Sequence, residues 1–262
     1  MTTKPEIRIA IADGAARLTI ANPDRKNAMN FAMWRALPEL VGRCEIDTSV
    51  RAIVLTGEGD AFCAGADISE FGDKRSDEAG ARAYEEAVSA ANAALRNAAK
   101  PMIALIRGVC YGGGVGLALA CDLRIARDDA RFRIPAARLG LGYSLDNVAL
   151  VASRIGAAAT ADLLFSARVF DAGQAQRDGL VREVFASAEF DAATDAYIAR
   201  IAENAPLTLL AVKAALVELA KPEAERDEAR VTATVMACMA SEDYAEGRKA
   251  FGERREPRFQ GK

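Results

Sequence analysis

The chain has 262 residues, 51% of them hydrophobic, enough for a sizeable core, and its 34 Lys and Arg nearly balance 37 Asp and Glu for a formal charge of −3. That length suits one large domain, or a domain with a smaller appendage, and the interspersed signs leave no electrostatic footprint for nucleic acid or an anionic membrane. There is no histidine, which excludes Ser-His-Asp and Cys-His catalysis and any metal site built on imidazole. Proton chemistry must fall to carboxylates, Tyr, Lys, Ser, Cys or backbone dipoles.

Cys44, Cys63, Cys110, Cys121 and Cys238 are scattered with no C-x-x-C pair, so buried free thiols are expected rather than a zinc ribbon or a redox dithiol. No apolar run approaches the roughly 20 residues of a membrane span. The opening MTTKPEIRIAIA lacks the long apolar core of a signal peptide. The cytoplasm is the expected compartment.

In chain order, apolar runs at 7–12 and 16–20 around Asp13 and Gly14 predict a β-hairpin. A turn cluster at 22–27 leads into a helix over about 30–45. AIVLT at 52–56 reads as a buried strand, followed by a small-residue segment at 61–68 and a helix over about 77–99. The stretch KPMIALIRGVCYGGGVGLALACDLRIA, 100–126, then gives a strand at 102–106, a tight turn at Arg107 and Gly108, three glycines at 112–114, a helix from Gly114 and a strand at 123–126. Strand, small-residue loop and helix thus occur twice, which predicts a parallel βαβ crossover with both loops at one end of the sheet. From Ala157 helices dominate, at 157–165, 171–178, 191–204, 207–220 and about 223–240, with a short strand at 181–184. The expected division is a mixed core over 1–200 and a helical region over 201–262.

Glycines placed where a strand hands over to a helix leave backbone N–H groups uncovered, with the positive end of a helix dipole behind them. That suits an anion, or an oxygen about to become one. The alternative is a glycine-rich turn that only permits tight packing. The stretch is neither a P-loop nor a dinucleotide fingerprint, since Leu117 stands where G-x-G-x-x-G needs its third glycine.

AFCAGADISEF at 61–71, together with the 100–126 stretch, strongly resembles the enoyl-CoA hydratase/isomerase family, also called crotonases. LTIANPDRKNAMN at 18–30 resembles that family's first coenzyme A-contacting loop, AGQAQRDGLVREV at 172–184 its A-x-x-x-G-L-V segment, and the ending EGRKAFGERREPRFQGK its C-terminal tail. The resemblance implies an α/β fold, a crotonase-like spiral of ββα repeats with a helical C-terminal trimerisation region, assembled as a homotrimer or a dimer of trimers. It implies an acyl-CoA thioester as partner and no separate cofactor, coenzyme A entering with the substrate. By motif match the N–H groups of Ala66 and Gly113 would form an oxyanion hole for a thioester enolate. Lys26, Ala28, Ala64, Asp67 and Ile68 match the coenzyme A-binding loops, and Phe251 and Arg254 match tail positions that reach its phosphate or adenine, sometimes from a neighbouring subunit. By themselves Arg25, Lys26, Arg254 and Arg255 read as solvated surface charge.

The sequence also departs from the family's pattern. A hydratase of the ordinary kind places one Glu two residues after the glycine triplet and another just after a downstream proline; here those positions are Gly116 and Ala136. Neither can transfer a proton, so standard hydration is disfavoured, as is isomerisation that depends on the second Glu alone. Tyr143 falls near a Tyr of the methylmalonyl-CoA decarboxylase branch, and Asp146 lies where some members place a catalytic Asp. The competing readings are a packed aromatic for Tyr143 and an N-cap, for a helix beginning at Asn147, for Asp146. Glu70 and Asp73 lie beyond the first motif and could face the acyl pocket. Decarboxylation or isomerisation is therefore favoured. Thioester hydrolysis, slow hydration and non-catalytic acyl-CoA binding stay open, while an RNA-associated role has no basic stripe to support it.

Overall fold

The computed structural model describes residues 4–74 and 77–262, the side chains of 73 and 74 excepted, so the Asp73 carboxylate lies outside the described residues. Strands β1 (Glu6–Ala12) and β2 (Ala15–Ala21) pair antiparallel across Asp13 and Gly14, both at positive φ, as a two-residue type I′ turn requires. Asn30 caps α1 (Phe31–Ile46) by accepting from the Met33 N–H. There follow β3 (Ala52–Gly57), α2 (Phe71–Lys74), α3 (Glu78–Asn97), β4 (Met102–Ile106), β5 (Val109–Tyr111), α4 (Gly113–Ala120), β6 (Leu123–Arg127) and β7 (Arg131–Arg133). The chain continues through α5 (Leu145–Ala161), β8 (Phe170–Asp171), α6 (Ala172–Arg177), β9 (Glu183–Phe185) and α7 (Phe190–Ala202). It ends in the helical run α8 (Pro206–Leu219), α9 (Glu228–Met239) and α10 (Glu242–Glu253).

The larger sheet has the order β1-β2-β3-β4-β6-β9 and is parallel from β2 onward; β5, β7 and β8 form a second, smaller sheet. Each of the units β4-β5-α4 and β6-β7-α5 gives its first strand to the large sheet and its second to the small one. The segment after β3 joins the small sheet's edge through a bridge between Cys63 and Cys110. Strand-strand-helix units therefore stack side by side along a spiral, as expected, with a helical C-terminal region.

Both faces of the large sheet are covered. Ile53, Leu55, Ala104 and Ile106 pack on the side of α1, α3 and α4, while Val54, Ile103, Leu105 and Ile125 meet Phe190 and Ile198 of α7. Strands buried on both faces read as continuous apolar runs, which is why 52–56 and 102–106 were legible.

Several elements differ from expectation. The two- and three-residue strands β5, β7 and β8 are too short to carry a period. Helix α5 starts at Leu145, so Ser144 rather than Asp146 is its N-cap, accepting from the Asn147 N–H at 3.3 Å. The helix expected at 157–165 is the continuation of α5, kinked where Gly156 takes φ 75° and ending in a π-helical turn, Asp162–Ser166. Leu145–Ser166 is consequently long and apolar enough to cross a membrane, with mean hydropathy 1.6, contrary to the expectation that no run comes close. Asp146, Arg154 and Asp162 interrupt it, and Leu150, Val151 and Leu163 are part of the core. The helix expected from 223 begins at Glu228 after a 3₁₀ turn, and α10 is a helix where only a tail was read.

One buried ion pair fastens the helical region to the sheet. Lys213 on α8, 3% exposed, donates to Asp122 at 2.5 Å, and the other Asp122 oxygen accepts from the Met102 N–H at 2.8 Å. Replacing Lys213 by Met should cost about 1–3 kcal/mol in urea unfolding, because the partly buried Asp122 carboxylate is left with the Met102 N–H alone. Adding Asp122→Asn should recover part of that loss.

Candidate active site

The segment 63–67 runs between two others and is bonded to both. On one side the Ala64 N–H donates to the Lys26 carbonyl (2.9 Å), Met29 N–H to the Gly65 carbonyl (2.7 Å) and Asp67 N–H to the Met29 carbonyl (2.8 Å). On the other, Cys63 N–H donates to the Val109 carbonyl and Tyr111 N–H to the Cys63 carbonyl, both at 2.9 Å. In the parallel bridge between Met29 and Ala66, the flanking Gly65 and Asp67 make the bonds, so the N–H of Ala66 itself points away from Met29.

Its nitrogen lies close to the start of α4. A Cβ built on Gly113 would stand 3.6 Å from the Ala66 nitrogen. Gly65, at φ 100°, lets the loops cross: a Cβ there would meet the Tyr111 carbonyl at 2.9 Å and the Gly113 nitrogen at 3.1 Å. Among the described residues neither the Ala66 nor the Gly113 N–H has an acceptor. Gly112 caps α4 without a side chain, so these donors sit uncovered at the positive end of a helix.

The coenzyme A candidates from the first two loops lie around this crossing. Lys26 is exposed at φ 50°, Ala28 is buried, Ala64 is half-buried, and Ile68 is an apolar side chain 69% exposed. Asp67 is buried, and its carboxylate is already engaged by the Ser69 N–H (3.1 Å), the Ser69 hydroxyl (2.7 Å) and Arg25 (3.1 Å). Arg25 is thus drawn onto the loop rather than left as free surface charge. Glu70 accepts from the Phe31 N–H at 2.8 Å, which makes it a cap for α1.

Asn27, the last residue of the turn cluster, ties the loops together. Buried at φ 57°, it donates to the Glu58 carbonyl (2.8 Å) and the Ala61 carbonyl (2.7 Å) and accepts from the Asn22 N–H (3.0 Å). Its signal was an Asn in a turn cluster, a residue that tolerates the left-handed region.

Phe251 and Arg254 are on and just after α10, and the bonds that join the loops do not include them. Phe251, 88% exposed, lines an apolar groove of about 870 Å³ with Val235, Met239, Tyr244 and Phe259. Arg51 donates to the Phe259 carbonyl at 2.8 Å, which holds the tail beside the start of β3, the end opposite the loops.

Tyr143 is half-buried against the main core, and its hydroxyl is pushed up to about 12, by burial first and then by the Glu85 carboxylate. It stays protonated at neutral pH, as a hydroxyl able to donate a hydrogen bond. Asp146 is exposed in the first turn of α5. Gly116 lies one turn beyond Gly113, with Asn92 of α3 facing it, and Ala136 is buried at the start of a 3₁₀ turn. Trp34 of α1 lays its ring 3.1 Å from the position of a Gly113 Cβ. Neither Trp34 nor Asn92 was singled out in the sequence, although Asn92 is a polar residue on an otherwise apolar helix face.

Over residues 10–262 the chain matches the enoyl-CoA hydratase/isomerase family. It belongs to that family. A Thermus thermophilus relative named as an enoyl-CoA hydratase is 35% identical, over 91% of this chain and 94% of its own. The peroxisomal Delta(3,5)-Delta(2,4)-dienoyl-CoA isomerase of Arabidopsis thaliana is 30% identical, over 92% of this chain and 91% of its own. The crystal structure of an enoyl-CoA hydratase/carnithine racemase from Magnetospirillum magneticum superimposes with a TM-score of 0.91 at 33% identity, covering 98% of this chain and 96% of that one. The family acts on acyl-CoA thioesters, and its members perform more than one reaction.

Four of the five cysteines are buried thiols held in the neutral form. Cys44, Cys63, Cys110 and Cys121 are buried and Cys238 is half-buried. Burial pushes Cys63 and Cys121 up to about 12 and holds Cys110 well above its ordinary value. Ellman's reagent at pH 8 should therefore label Cys238 first and leave these three until the protein unfolds. Thiols raised in the folded state favour folding below their unfolded value of about 8.5. Thermal stability should therefore fall as pH rises from about 9 toward 12, and Cys121→Ser should flatten that fall.

Proposed function

We propose that this chain processes an acyl-CoA thioester by stabilising its enolate in an oxyanion hole made of the Ala66 and Gly113 N–H groups, in a reaction other than standard hydration. The observation that carries the reading is the pair of uncovered donors side by side at the start of α4, with no carboxylate at Gly116 or Ala136. Donors fixed before reaction cost nothing to reorganise as charge builds on the thioester oxygen. Decarboxylation fits such a site well. Breaking the bond between the α-carbon and a carboxylate leaves its electron pair in the enolate and releases carbon dioxide, so no base is needed, and a proton is then delivered to the α-carbon. Isomerisation draws on the same enolate but needs a group to carry the proton. Tyr143, protonated up to about 12, can orient a carboxylate by hydrogen bonding. Asp146 is the remaining carboxylate candidate for proton transfer.

A second reading, acyl-CoA binding without catalysis, is favoured by the same two missing carboxylates and by the engagement of Glu70 as a helix cap. We further propose a homotrimer or dimer of trimers, in which Phe251 and Arg254 reach coenzyme A across a subunit boundary, and a cytoplasmic setting. Neither reading calls for a separate cofactor.

Crotonyl-CoA hydration, followed by loss of the conjugated thioester's ultraviolet absorbance, should be very slow while crotonyl-CoA still binds; fast hydration sinks the reading of Gly116 and Ala136. A panel with malonyl-type and β,γ-unsaturated thioesters then separates turnover from binding alone. Gly113→Pro removes the donor at a position where helices accept proline, and Gly113→Ala brings similar crowding against Trp34 but keeps the N–H. On whichever thioester turns over, the Pro variant should be slower than the Ala variant by about 100-fold or more. Equal rates would remove Gly113 from the oxyanion hole.

A further inference from the structure

Asn92 sits on the side of α3 that buries Tyr84, Ala87, Ala91 and Leu95. It is 7% exposed, and its Oδ1 is buried with no hydrogen-bond partner among the described residues. A buried acceptor left unpaired is costly, so such a group marks a place where a donor belongs. The carboxamide faces Gly116: a Cβ there would stand 3.6 Å from Nδ2 and 3.9 Å from Oδ1. Gly116 in turn lies one helical turn from Gly113, on the same face of α4. The space that a side chain at position 116 would fill is thus open and bounded by an amide.

The character of the missing partner follows from what surrounds it. A carboxamide neither gives up nor takes a proton at working pH, so Asn92 cannot replace a catalytic carboxylate; through its unpaired Oδ1 it can hold a donor in place. Trp34 Nε1, whose ring touches Gly113, is the other buried side-chain group without a partner among the described residues. The side chains that meet Gly113 and Gly116 thus carry one unpaired donor and one unpaired acceptor. A hydroxyl group or a water matches both characters, which neither an ammonium nor a carboxylate can do.

We propose that Asn92 is a binding residue of the acyl pocket whose Oδ1 accepts a hydrogen bond from an O–H group lodged beside Gly116, either a hydroxyl on the acyl chain or an ordered water. The proposal rests on the acyl-CoA reading above and adds what the pocket selects.

The test compares butyryl-CoA with both enantiomers of 3-hydroxybutyryl-CoA by titration calorimetry, in the wild-type protein and in Asn92→Leu. If the substrate carries the hydroxyl, the wild type binds one hydroxy thioester about 10-fold more tightly than butyryl-CoA, and Asn92→Leu brings that ratio close to one. If water is the donor, the wild type does not discriminate, and its residual hydration at saturating crotonyl-CoA falls about 10-fold in Asn92→Leu. A ratio and a hydration rate both indifferent to Asn92→Leu, or both absent from the wild type, overturn the proposal. Should Asn92→Leu not fold, Gly116→Ala decides, because it sets a methyl against the intact amide at an ordinary contact distance; an unaltered ratio and rate there would overturn it equally. If no thioester binds the wild type at all, the acyl-CoA reading falls and takes this one with it, a result distinct from binding that ignores Asn92.

Discussion

The segment 63–67 is held like an inner strand, bonded on one side to 26–29 and on the other to 109–111, and the rest of the site depends on that double attachment. A strand pinned on both flanks has spent the backbone groups that face its neighbours. The N–H of Ala66 escapes because parallel bridging uses the residues before and after it. Gly113 contributes the matching donor because a helix cannot satisfy its own first N–H groups. Two general rules of backbone bonding thus leave two adjacent donors, with no charged side chain required to create them.

Holding the loops so close imposes conditions elsewhere. Gly65 takes a left-handed φ and cannot carry a Cβ without striking the Tyr111 carbonyl, and a Cβ on Gly114 would meet the Cys63 carbonyl at 2.3 Å. Asn27, Asp67 and Glu70 give their polar atoms to the loops and to the start of α1. These groups act on geometry, holding the loops and the start of α1 in place. The crossing is rich in backbone donors, and the proposed charge stabilisation rests on them rather than on a side chain.

The Gly116 position extends that pattern. Where a carboxylate would make the pocket an acid–base site, this chain presents an amide across an open volume, with an indole near by. Polar atoms buried without partners are rare in folded proteins and costly to keep. Finding two such groups beside the same short helix is what separates this pocket from an ordinary apolar core.

Much of this was legible in the residues. Strands at 52–57 and 102–106 are buried on both faces, so their apolar runs are uninterrupted, and the glycines that let loops cross are fixed by sterics at single positions. The loss of a carboxylate at Gly116 and Ala136 is likewise a matter of residue identity, and so is the absence of histidine. Tertiary structure decided the rest, because the outcome depended on partners distant in the chain. Glu70 became a helix cap through Phe31, Asp67 was claimed by Ser69 and Arg25, and Asn92 met Gly116 only because α3 packs beside α4. Ser144 displaced Asp146 as the cap because α5 begins earlier than its apolar pattern indicates. A side chain's chemistry is written in the sequence, whereas the partners that engage it or leave it unpaired are set by packing.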